Sequence, residues 1–162
     1  MEYTSDRAGR SARHVEPDPR LAGGPWREAL DDDSVEAVGA LTEALETVEV
    51  ARGHLYAFHQ LTGAADFKVE RAVTLFEKAG HRELAERLSR ELLGRNVLPG
   101  RWTFQVIEDY ENTYYTPFRD LEGEARTLTR GLPHVYEADL KRQRRSAGEP
   151  GHEASPDEPA AG

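Results

Sequence analysis

Apolar positions recur at spacings of three and four through the middle of the chain, which is helical periodicity. Val38, Leu41, Leu45, Val48 and Leu55 form one stripe, and Arg52 and His59 fall on the same stripe. This spacing predicts a long first helix from about Asp33, capped by Asp33 with Glu36 as a capping box, to a stop at Gly63. Gly53 inside it costs about 1 kcal/mol of helix propensity and predicts a close approach by a neighbouring helix. A second helix is predicted from Asp66, its N-cap, to Gly80, with Val69, Ala72, Val73 and Phe76 inward. A third follows over 81–93 with Leu84, Ala85, Leu88 and Leu92 inward, then a turn at Pro99-Gly100. The fourth starts near Arg101. Its stripe of Val106, Ile107, Tyr110, Tyr114, Phe118, Leu121, Ala125 and Leu128 is interrupted by Pro117, which predicts a kink or a break near 113–117. A short last helix is predicted over 134–145, with Pro133 near its start.

No alternating strand pattern of useful length accompanies these helices. The chain is therefore predicted to be all-α, an antiparallel bundle of four to five helices with disordered N- and C-terminal tails. Residues 1–33 read as a flexible arm, 34–145 as the helical bundle, and 146–162 as a disordered acidic tail. Both ends are too rich in Pro, Gly and charge to offset the entropy of ordering.

Charge sharpens this division. The chain carries a net charge of −9 over 162 residues, divided as −3 in the arm, −2 in the bundle and −4 in the tail. A nearly balanced bundle offers no broad basic field for nucleic acid. The cluster Lys141, Arg142, Arg144 and Arg145 reads as a helix end that complements the helix dipole. There is no cysteine, which excludes disulfides, thiol catalysis and thiolate metal sites. No apolar run approaches the roughly 18–20 residues of a membrane span, and the N-terminus has no apolar signal region. The expected location is the cytoplasm, with no membrane partner.

The densest chemistry lies in Ile107–Phe118, where three carboxylates, three tyrosines and a proline share one short span. Glu111 falls among apolar neighbours, and a buried carboxylate is costly unless paired. Arg52 and His59 on the first helix are its expected partners. Arg52, His59, Tyr110, Glu111 and Tyr114 are thus the candidate site. They form either a polar network that fixes helix register or a ligand site built on that network. Arg95 and Arg101 flank the Pro99-Gly100 turn and are candidates for holding an anion at the following helix, or for bonding to local carbonyls. Glu46 with Glu49, Glu108 with Glu111, and His134 with Glu137 are each three apart, but the Glu-x-x-His pairs of di-iron bundles are missing. No metal and no cofactor are predicted. His59 is placed for acid–base work, yet no nucleophile stands at a recognisable spacing. Trp26, with Leu21 and Leu30, either docks back on the bundle or enters a partner groove.

Gly53-His54-Leu55-Tyr56-Ala57-Phe58-His59-Gln60-Leu61, the run Gly94–Gln105 and the segment Tyr114–Asp120 together resemble a family of short helical proteins from actinobacteria. The resemblance covers roughly half the chain, and no established activity attaches to it. The function expected is that of a non-enzymatic interaction or scaffold protein. Its partner would be an unspecified protein or, as one option, a second copy of the chain. The alternative is a small-molecule- or metal-binding bundle, catalytic or not, with its site between the first and fourth helices.

Overall fold

The first helix does not stop at Gly63. In the computed structural model, which describes residues 18–155, one 47-residue helix, α3, runs from Asp32 to Lys78. It absorbs both the first and the second predicted helix. No proline falls between Pro25 and Pro99. A lone glycine lowers helix propensity by about 1 kcal/mol without forcing an end. Termination comes at Gly80, which takes φ 88° in a Schellman turn: His81 N–H donates to Phe76 O at 2.9 Å and Gly80 N–H to Glu77 O at 3.0 Å. The start is also displaced. Asp31 is the cap, accepting from Ser34 N–H at 2.9 Å, in place of the Asp33–Glu36 box. Asp66 caps nothing; it lies inside α3 and accepts from Gly94 N–H at 2.9 Å.

Before α3, two single turns, α1 (Pro19–Ala22) and α2 (Pro25–Glu28), lead into it. After it come α4 (Arg82–Glu91), α5 (Thr103–Tyr110), a π-turn (Glu111–Tyr115), α6 (Thr116–Ala125), a 3-10 turn (Arg126–Thr129) and α7 (Val135–Arg144). The described residues are all-α, with a single isolated bridge between Leu98 and Arg101. Of the arm predicted over 1–33, residues 1–17 lie outside the described residues, as do 156–162 of the tail. From Asp18 onward the chain is folded onto α7. Arg20 donates to Pro133 O at 2.9 Å, and Arg27 pairs with Asp139 at 2.8 Å. Trp26 packs against Leu30, Val35 and Val135.

The core occupies one end of α3. Its buried residues, Val35, Val38, Thr42, Leu45 and Val48, all precede residue 50. There α5, α6 and α7 cover it, and Leu45 and Val48 pack with Tyr115, Tyr110 and Phe118. The close approach expected at Gly53 is absent, with no atom within 4 Å of where its Cβ would stand. It occurs at Gly39 instead, where an added Cβ would lie 3.1 Å from Tyr136 Cβ. Beyond residue 50, α5 lies along α3 as far as His59, and from there α3 continues as one arm of a two-helix hairpin with α4. Ala85 is the one buried apolar residue of α4.

The fourth helix neither kinks simply nor breaks at Pro117. The π-turn precedes Pro117, and Thr116 N–H reaches back five residues to Glu111 O. Proline has no N–H to donate and its ring crowds the carbonyl of residue 113; widening the turn makes room for it. Thr113 Oγ1 donates to Asp109 O at 2.6 Å, supplying a side-chain donor within the widened turn. The extra residue rotates everything downstream by about 100°, one helical position. The predicted stripe is therefore corrected at Tyr114, which is 50% exposed, and beyond Phe118. Leu121 and Leu128 are 62% and 57% exposed, while Tyr115, Glu122 and Thr129 turn inward.

Candidate functional site

Polar and apolar side chains gather at two places along α3. The first is the contact between the middle of α3 and the π-turn. Arg52 Nε donates to Glu111 Oε1 at 2.6 Å, joining two of the predicted residues. The guanidinium also lies 4.5 Å from the ring centroid of Tyr115 and 5.3 Å from that of Tyr56. Tyr115 OH donates to Glu49 at 2.5 Å, and this bond, with burial, raises its pKa. Tyr56 OH sits 3.4 Å from Glu111 Oε1. His59 is not part of this group. Its Nδ1 meets Thr103 Oγ1 at 2.7 Å, one turn further along α3. Tyr114, 50% exposed, stacks between Tyr110 and Phe118, with ring centroids 5.5 and 6.0 Å away. Burial raises the pKa of the Tyr110 hydroxyl. The tyrosines that complete the polar group are thus Tyr115 and Tyr56. Tyr115 replaces Tyr114 because of the π-turn, which no apolar periodicity encodes.

Arg52 and Glu111 remain partly open to water, and such pairs contribute modestly. Glu111→Gln is expected to lower stability by no more than about 1 kcal/mol, with helical content unchanged. A thermal melt followed by circular dichroism checks this; a loss several times larger would mean that this pair, and not the core, holds α5 in place.

A second polar group escaped the sequence reading. Glu122 is 0% exposed. Thr42 Oγ1 donates to its Oε1 at 2.7 Å, Arg126 Nε donates to the same oxygen at 2.7 Å, and Arg126 Nη2 faces Oε2. The Arg126 hydrogen bond lowers the Glu122 pKa; burial opposes it and Thr42 adds to the lowering. Oε1 accepts from both Thr42 and Arg126 and Oε2 is buried facing the Arg126 guanidinium, so the group is built to hold α6 on α3. A Glu with an Arg four residues on was the available signal, but the predicted phase placed Leu121 inward.

The anion candidates are engaged locally. Arg95 donates to Glu91 O at 3.1 Å. Arg101 pairs with Asp109 at 2.6 Å and donates to Gly100 O at 3.3 Å. Of the carboxylate pairs, Glu46 and Glu137 both approach His134 Nδ1, at 3.9 and 3.7 Å. Among the described residues no group of three or more His, Asp or Glu side chains is arranged to hold a metal ion.

The second place is a groove in the C-terminal half of α3. It has a volume of about 470 Å³ and lies between Thr62–Val69 of α3 and the connection that leads from α4 into α5. Phe67, Val69, Leu92, Val97 and Trp102 supply apolar walls; Asp66, Arg95, Asn96 and Thr103 supply polar ones. Thr103, on its wall, contacts His59 of α3. Phe67 is 75% and Trp102 52% exposed, and Leu92, Leu98 and Phe104 are about half exposed. Large apolar side chains gathered so densely around a hollow are unusual on a surface that interacts with nothing. No helix among the described residues is long and apolar enough to cross a membrane. Comparison of the chain with protein-family models, with curated proteins and with solved structures found no match.

Proposed function

We propose that this chain is a non-enzymatic helical interaction protein of the cytoplasm, whose contact face is the groove around Phe67 and Trp102. One observation carries the reading: the fully buried residues of α3 end at Val48, yet the helix continues to Lys78 and leaves Leu61, Phe67 and Leu75 largely exposed. A long helix that extends past its own core offers its far end to something else. In this reading the core half is an antiparallel bundle in which α5, α6 and α7 pack along α3. It acts as the rigid base, pinned by Glu122 with Arg126 and by Arg52 with Glu111. Membership of the actinobacterial helical family belongs to the same proposal and rests on the sequence segments alone.

The test uses the full chain as bait for soluble protein. Phe67→Glu places a charge on the rim without disturbing a buried contact. It is expected to abolish capture of bound proteins, while Glu124→Lys, on the exposed side of α6, leaves capture unchanged. Equal capture by both variants and the wild type sinks the contact-face reading.

A second reading, a small apolar ligand in the same groove, is favoured by the volume, which falls within the roughly 300–1,000 Å³ of small-molecule sites. It lies about three to five turns along α3 from the site predicted around Arg52, Glu111 and Tyr114, and a ligand there would stack on Trp102.

A further inference from the structure

Resting on that contact-face reading, we infer that the groove's occupant is a second copy of this chain, joined across a two-fold axis so that the apolar rim of each copy fills the hollow of the other. Three observations converge. The first is shape. A two-fold interface uses the same patch on both subunits and must be self-complementary. Here knob and hole are neighbours: Phe67 and Trp102 line the hollow and still expose 75% and 52% of their surface. The second is charge. The chain carries −9, but residues 61–104 hold eight basic and six acidic side chains. The arm and the tail hold −7 of that charge, so two copies meet at this end away from the segments that repel most strongly. A face so evenly balanced gives little to a strongly acidic or basic partner. The third is area. The exposed parts of Phe67, Leu92 and Trp102 on the groove, with those of Leu98 and Phe104 next to its lining residues in the chain, amount to on the order of 500 Å² per copy, the larger part of the roughly 800 Å² per partner in a standard interface.

The hairpin gives the pairing an architecture. Two helices share one buried apolar residue on α4, Ala85. Two such hairpins laid together make four helices around a shared core, the arrangement that stabilises short helical pairs. The base of the hairpin, where Thr62–Val69 of α3 faces the end of α4, would then be held by the partner copy.

The experiment is sedimentation of the full chain, paired with cysteine cross-linking, which the absence of native cysteine makes clean. The wild type is expected to sediment as a dimer at about 100 μM, and Phe67→Glu and Trp102→Glu each to weaken the dimer at least about tenfold with helical content unchanged. Asn96→Cys, on the groove, is expected to give a disulfide-linked dimer on mild oxidation, and Glu124→Cys is not. A wild type that remains monomeric at about 300 μM, or equal cross-linking at both positions, overturns the dimer. It leaves the contact-face reading standing if Phe67→Glu still abolishes capture of other proteins; both fall together only if capture too is unchanged.

Discussion

Arg126→Ala is expected to lower the melting temperature at pH 7 by on the order of 10 °C, the largest effect of any single side chain in the base. Glu122 is wholly buried and Arg126 provides both a hydrogen bond and the opposing charge. Removing the arginine leaves the carboxylate with the Thr42 hydroxyl as its hydrogen-bond donor. Breaking one side of a buried pair costs about 3 kcal/mol or more, and in a chain of this size each kcal/mol is worth about 2–4 °C. Glu122→Gln keeps the shape and the Thr42 contact and should cost less at pH 7.

The two variants separate on titration. The folded chain holds the Glu122 carboxyl below its usual value of 4.5. The unfolded chain therefore binds that proton more readily, and folding is favoured where the group is ionised in both states. This contribution is complete above about pH 4.5 and is lost as the pH falls through the lowered folded value. Wild type and Glu122→Gln should thus differ most near neutrality and converge in acid. Melting curves taken stepwise from pH 7 to pH 3 check the sign. A difference that stays constant across the range would show that Glu122 does not act through its charge.

Deletion of Asn112 is expected to destabilise the protein by about 3 kcal/mol, and Pro117→Ala in the same chain to restore most of it. Removing one exposed residue converts the π-turn into an ordinary helical turn. Residues Tyr115 to Thr129 then keep their places on α3, because the turn loses the residue it had in excess. The ordinary turn, however, forces Pro117 into a regular helix, where its ring clashes with the carbonyl four residues back at about 3 kcal/mol. Alanine at 117 removes the clash. Pro117→Ala alone should matter little, since the packed face of Tyr115, Phe118 and Glu122 holds the widened turn open. Deletion of Ala44, in the part of α3 with no wide turn to absorb it, is the control. It rotates everything beyond by about 100° and should prevent folding. If the two single changes prove additive in urea unfolding, the wide turn is not an accommodation of Pro117.

Arg52 with Glu111 was legible in the sequence because both lie on apolar stripes of their own helices, where a charge needs an opposite charge. Arg52 lies in α3 and Glu111 is the first residue of the π-turn, so local spacing fixes their faces. Glu122 with Arg126 was hidden for the opposite reason. It lies past the π-turn, where periodicity read at 3.6 residues per turn points Leu121 and Leu128 inward. The single long helix was hidden by Gly63 and Asp66, which look like a stop and a start. What decided the matter was backbone conformation: Gly80 adopts a positive φ and Gly63 remains helical inside α3.

The sequence by itself determined that the described chain is all-α, that its third quarter turns at Pro99-Gly100, and that Arg52 should answer Glu111. These follow from local spacing and from the cost of burying a lone charge, both of which act over a few residues. The tertiary structure alone decided where the long helix ends, which tyrosine faces α3, and that the far end of α3 runs past its own core. Those depend on which conformation a glycine takes and on which side chains find cover. Both are settled only when distant segments pack.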